Sequence, residues 1–220
     1  MAVDKRIFIA AFLITILIFI SILFSNYLLD NKREDIVTER MDSFIEQYEE
    51  IQTLLLMSEF FGEDATCDAL GSALSNMNKD VWELGIKIDS YRQATEDFMN
   101  DPFYLEQKKR FNRKEVLYFT MFKKMNEMCQ TNQHIISYFY KRKENCPDCD
   151  TQSFVIADIK RSNEGLAIFS FDADLDLAPI NILIKSYNVT SYPCLVINGK
   201  ASCRLHNKDE LLGRIENRGK

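Results

Sequence analysis

The least polar stretch of the chain is its N-terminal one. From Ile7 to Leu29, 23 residues rich in Ile, Leu and Phe pass without a charged side chain. A helix rising roughly 1.5 Å per residue would make this run about 34 Å long, enough to cross a hydrocarbon core of about 30 Å. A cleaved signal would have a shorter apolar region ending in a small-x-small site. This run closes Ser25-Asn26-Tyr27-Leu28-Leu29, so an uncleaved, lipid-embedded anchor is expected over residues 7–29. Lys5 and Arg6 precede it while Lys32 and Arg33 follow it, which leaves the positive-inside rule nearly silent on orientation.

Beyond the span the apolar residues become periodic. Val37, Met41, Phe44, Tyr48, Ile51 and Leu55 alternate steps of four and three, which predicts an amphipathic helix from Asn31 to about Phe61. The stripe is expected to pack on its own domain. The same a/d spacing offers a homodimer seam over residues 37–55 as the alternative. Gly62 and Asp64 interrupt the run. A second helix is expected from Asp64 or Thr66 to about Gln93, with Leu70, Ala73, Leu74, Val81, Leu84 and Ile88 on its apolar side and the lone Trp82 within it. Asn100-Asp101-Pro102 marks a turn, with Pro102 suited to a first helical position. Phe103 to Asn112 and Lys114 to about Cys129 read as one helix or two, with Val116, Phe119, Phe122, Met125 and Met128 as core. No repeat and no long Gly/Ser linker is present.

From His134 the grammar changes. An apolar run, residues 135–140, leads into Asn145-Cys146-Pro147-Asp148-Cys149-Asp150 and a helical stretch to about Ser162, which Asn163-Glu164-Gly165 stops. A strand from Leu166 to Phe171 follows, then a helix from Pro179 to about Tyr187 and a strand from Cys194 to Ile197. Asn198-Gly199 between apolar runs is a strong hairpin signal. It joins that strand to one running from Lys200 to Leu205, with a last helix from about Asp209 to Glu216. The order β-α-β-α-β-β-α implies one sheet holding a parallel pair and an antiparallel hairpin. Three regions are expected: an anchor (1–30), an α-helical region (31–133) and an α/β domain (134–220).

Composition narrows the function. The 220 residues are 46% hydrophobic and 27% charged, enough for a real core. The net charge is −6. With no basic stripe, nucleic acid is not an expected partner. Six cysteines are too few for a disulfide-built miniprotein and more than a reducing compartment ordinarily holds.

A Cys-x-x-Cys at a strand-to-helix junction suits thiol redox chemistry. The first sulfur lies at the positive end of a helix, which favours the nucleophilic thiolate, and the second sulfur can close back on it. Zinc sites use the same spacing, and the following sequence bears on the choice. Tyr192-Pro193 comes 44 residues past the second cysteine and is followed by Cys194-Leu195-Val196-Ile197-Asn198-Gly199-Lys200. With these residues, positions 134–220 resemble the thioredoxin-fold family. The expected fold class is thus an α/β thioredoxin-like domain at the C-terminus, preceded by a transmembrane helix and an α-helical region. The resemblance implies that Cys146 is an exposed attacking thiol and Cys149 a buried resolving thiol. It also implies that Pro193 follows a cis bond and faces the cysteines, with the Tyr192 backbone binding a partner chain. The motif departs from thioredoxin itself: Pro147 directly after the first cysteine is similar to glutaredoxins and periplasmic disulfide-exchange proteins. No acid lies in the preceding strand where thioredoxin keeps a buried carboxylate. Asp148 and Asp150 oppose the helix-end effect on the thiolate, or act simply as solvated N-terminal acids of the helix.

The remaining cysteines suggest pairs. Counting outward from the Asn198-Gly199 turn puts Cys194 opposite Cys203, at a cross-strand separation that accommodates a disulfide. A structural staple is the first reading, with two free thiols or a second redox pair as alternatives. Cys67 and Cys129 are then paired by elimination. Full pairing fits an oxidising exterior, hence a single-pass protein with its N-terminus inside and its bulk on the extracytoplasmic side; the sequon Asn188-Val189-Thr190 agrees. The function these residues imply is a thiol–disulfide oxidoreductase acting through Cys146 and Cys149 on protein thiols and disulfides. A membrane or soluble redox partner would recycle it, and neither metal nor organic cofactor is required. The alternative is a non-catalytic interaction protein with Cys146-Cys149 as a structural bridge. A third reading, copper held by the two cysteines and a distant histidine, has only His134 and His206 to draw on, neither well spaced.

Overall fold

A computed structural model describes residues 5–94, 101–131, 133–163 and 165–216. Asn100 of the predicted turn and Glu164 of the predicted helix stop lie outside them, as does the side chain of Val37. The chain divides into two compact units, Met1–Ser43 and Phe44–Lys220.

In the first unit, Phe8–Ser25 has a mean hydropathy of 2.8 and is buried nowhere by the protein. It is long and apolar enough to span a membrane or to serve as a signal sequence. The span and the amphipathic stretch after it form one helix: α1 runs unbroken over Lys5–Phe61. The reason is chemical, since no glycine or proline occurs between those two residues. Gly62, at φ 90°, ends the helix, and its N–H reaches Ser58 O at 3.1 Å. Asp64 breaks nothing; it lies in the first turn of α2 (Glu63–Ala94). Of the proposed seam residues, Met41, Phe44, Ile51 and Leu55 are buried within the chain itself.

The second unit is built on a four-stranded sheet of order β2-β1-β3-β4. The strands are β1 (Ile135–Tyr140), β2 (Ala167–Asp172), β3 (Cys194–Ile197) and β4 (Lys200–Ser202). β1 runs parallel to β2 and antiparallel to β3, which pairs antiparallel with β4. Asn198 and Gly199 both have positive φ, 50° and 79°, as a two-residue hairpin turn of matching twist requires. β4 is shorter than the expected run to Leu205. The chain leaves the ladder to bury His206, whose N–H donates to Gln152 Oε1 (2.7 Å) and whose ring bridges Ser202 Oγ and Glu210.

Alternation sends Ile136, Tyr138, Ile168, Leu195 and Ile197 to one face. There they pack with Ile156 and Ile159 of α4 (Cys149–Ser162) and Leu211 of α6 (Lys208–Glu216). The other face is aromatic. Phe169 meets Tyr118, Phe119 and Phe122 of α3 (Pro102–Met128), Phe119 also meets Phe171, and Phe139 meets Tyr187 just past α5 (Ala178–Ser186). α3 is one helix, Pro102–Met128, capped by Asp101, whose carboxylate accepts the Tyr104 N–H at 2.9 Å. Tyr118 OH donates to Leu74 O of α2 at 2.9 Å, and a Cys67–Cys129 disulfide joins the start of α2 to the residue after α3.

β2 is an edge strand, and α3 covers that edge. Lys108, Asn112 and Glu115 lie four and three residues apart, on one helical face. Glu115 Oε1 accepts the Ser170 N–H at 2.6 Å, Asn112 Oδ1 accepts the Asp172 N–H at 3.0 Å, and Lys108 pairs with the Asp172 carboxylate. Backbone groups that an open edge would offer to another chain are thereby satisfied.

Candidate functional site

The cysteine pair lies where β1 hands over to α4. A disulfide joins Cys146 and Cys149, with Cα atoms 5.4 Å apart. The Cys149 N–H returns to Cys146 O at 3.2 Å and the Gln152 N–H to Asp148 O at 3.0 Å, so the pair closes the turn that starts the helix. Asp148 occupies the N-cap without a side-chain hydrogen bond. From β1, Tyr138 OH donates to Cys149 O at 2.6 Å and fixes the helix start against the sheet.

Asp174 organises the loop ahead of the pair. Its carboxylate accepts the Arg142 N–H at 2.7 Å and Asn145 Nδ2 at 3.4 Å, with Lys141 Nζ at 3.8 Å. Lys141 in turn sits 5.0 Å over the ring of Tyr192. Partial burial, and then the negative charge of Asp174, hold the Tyr192 hydroxyl pKa above its ordinary value. Phe139 stands opposite Cys194 in the register, so Tyr192 and Pro193 flank the end of β1 from which the cysteine loop emerges. The Tyr192–Pro193 bond is cis.

The expected exposure of Cys146 is not what the structure has. Cys146 is 1% and Cys149 2% exposed, while Pro147 and Asp148 between them face solvent. The other four cysteines form Cys67–Cys129 and Cys194–Cys203, leaving no free thiol. No group of three or more His, Cys, Asp or Glu side chains is gathered at metal-binding distance among the described residues. His206 is engaged by Ser202 and Glu210.

A cleft of about 560 Å³ adjoins the pair, lined by Cys149 together with side chains of α2, α3, α4, β1 and β2. Glu115 is the functional candidate that the sequence reading passed over. The strand before the cysteines holds no acid, whereas Glu115 reaches the cleft from α3. Its position was readable, because Phe111, Glu115 and Phe119 recur every four residues along the buried stripe. Burial pushes its pKa from 4.5 to about 8, opposed by the hydrogen bond from Ser170.

No family model matches the chain, and no curated protein matches it. Among solved structures, it is similar to that of thioredoxin-2, described as a component of malaria parasite protein secretion machinery. The two are 21% identical over 39% of this chain and 84% of that one, with a TM-score of 0.32.

Proposed function

We propose that the chain is a membrane-anchored thiol–disulfide oxidoreductase with a thioredoxin-like α/β domain. One observation carries this reading: two cysteines three residues apart, bonded at the head of a helix where a parallel strand ends, with Tyr192 and Pro193 beside that end. In the reduced protein the Cys146 thiolate attacks one sulfur of a partner disulfide and the partner's other sulfur leaves as a thiolate. The Cys149 thiolate then attacks Cys146 Sγ, releasing the partner's second thiolate and closing the Cys146–Cys149 bond. Two electrons pass from the dithiol to the partner, and the reverse sequence oxidises a partner dithiol. No metal or organic cofactor takes part. The backbone of Tyr192, next to Pro193, is proposed to hold the partner chain.

In this reading residues 1–30 anchor the protein in lipid, 31–133 support the site, and 134–220 carry the chemistry. The N-terminus faces the cytoplasm and the bulk the outside, where three closed disulfides are stable. Cys149→Ser should trap partners as mixed disulfides on Cys146, visible as reducible high-mass adducts, and Cys146→Ser should trap none. The second reading, a non-catalytic scaffold with a structural bridge, is favoured by the burial of both cysteines. It predicts no adducts from either variant.

A further inference from the structure

We propose that the cleft between α2, α3 and α4 receives a large apolar side chain of the partner protein, one or two residues from the cysteine that Cys146 attacks. It thereby selects partners for exchange. This inference rests on the exchange reading above.

Reach comes first. Cys149 lines the cleft, and its sulfur is bonded to that of Cys146. A mixed disulfide holds the partner's cysteine Cα about 5.5 Å from that of Cys146, and each further extended residue adds about 3.5 Å. A residue one or two positions from that cysteine therefore lies about 9–13 Å from the Cys146 Cα, and the Cα of Cys149, which lines the cleft, is 5.4 Å from it.

Lining comes second. Trp82 and Ile86 of α2, Phe111 of α3 and Phe154 of α4 form apolar walls. Ile86 is 54% and Phe154 67% exposed, so both reach solvent beside the redox pair. A cleft of about 560 Å³ lies in the range of sites that enclose apolar groups and carry a few polar contacts.

Charge comes third. Lys108, inside the cleft, is already paired with Asp172. Glu115 holds its proton below about pH 8, so near neutrality it adds no charge. Its Oε2 is buried without a hydrogen-bond partner. Tyr104, Tyr138, Tyr140 and Asp150 also line the cleft, with Arg161. A lysine entering between these apolar walls would have to shed much of its water.

The test uses the full-length, reduced protein in detergent and peptides Gly-X-Cys-Gly-Gly bearing thionitrobenzoate on the cysteine sulfur, with X as Phe, Leu, Ser or Lys. Cys146 attack releases the coloured thionitrobenzoate anion, and Cys149 then displaces the peptide thiolate. The second-order rate constant should be about tenfold higher for Phe and Leu than for Ser, with Lys slowest. Ile86→Asp and Phe154→Asp, both at exposed positions, should bring the Phe-to-Ser ratio close to one. Equal rates for all four peptides would overturn the proposal, whether the cleft then serves a small molecule, a second copy of the chain or nothing. Variants that leave the ratio untouched would overturn it too. If no peptide releases thionitrobenzoate, the exchange reading falls, and this inference with it.

Discussion

At the scale of single residues, Glu115 shows how one buried group can set the pH response of the whole fold. It lies buried in α3 between Phe111 and Phe119, and its hydrogen bond comes from the Ser170 N–H. The unfolded side chain loses its proton near 4.5, whereas the folded one keeps it to about 8. Between those values the folded state binds more protons than the unfolded state, so stability falls as pH rises and levels off above about 8. Glu115→Gln keeps a carbonyl oxygen for Ser170 and cannot ionise. The stability gap between this variant and the parent should open across this window, to on the order of 2–4 kcal/mol at pH 8. Urea unfolding of both proteins in detergent at pH 5.5 and 8.5 checks this. A gap that does not widen with pH would contradict it.

At the scale of elements, α3 performs several tasks at once. Its aromatic residues pack on the sheet, its polar face covers the β2 edge, and its far end is tied to α2 by Cys67–Cys129. The two disulfides other than Cys146–Cys149 differ in the chain they close: 62 positions for Cys67–Cys129 and 9 for Cys194–Cys203. On chain entropy alone, replacing both cysteines by serine should cost about 4 kcal/mol for the first pair and about 2.7 kcal/mol for the second. Equilibrium denaturation of the two double variants measures the difference, and a reversed ranking would contradict the account. Most element positions were legible because they follow from local signals. The apolar runs at 135–140 and 194–197, the Asn198-Gly199 turn and the Pro102 helix start all depend on near neighbours. What stayed illegible was long-range. Nothing in the spacing of Lys108, Asn112 and Glu115 says that their partners are Ser170 and Asp172, about 60 residues away. The unbroken α1 was readable in principle, from the absence of glycine and proline, but the change from an apolar run to an amphipathic one concealed it.

At the scale of the molecule, residues 44–220 form one compact unit in which α2 and α3 complete what the sheet lacks. They cover an edge and wall a cleft beside the cysteines. The CxxC and Tyr-Pro placements were readable as spacing. The burial of Cys146 was not, because it depends on long-range packing rather than on spacing.

The measurement that tests the central claim most directly is a redox titration of the full-length protein in detergent. Graded dithiol/disulfide buffers would be followed by alkylation of free thiols and mapping of each cysteine by mass spectrometry. Exchange proteins and structural bridges separate on this scale, with structural disulfides below about −300 mV. The account predicts that Cys146–Cys149 titrates reversibly between about −120 and −300 mV while Cys67–Cys129 and Cys194–Cys203 stay closed. A Cys146–Cys149 bond that stays closed below that range alongside the other two would mark it as a structural bridge and contradict the proposed function.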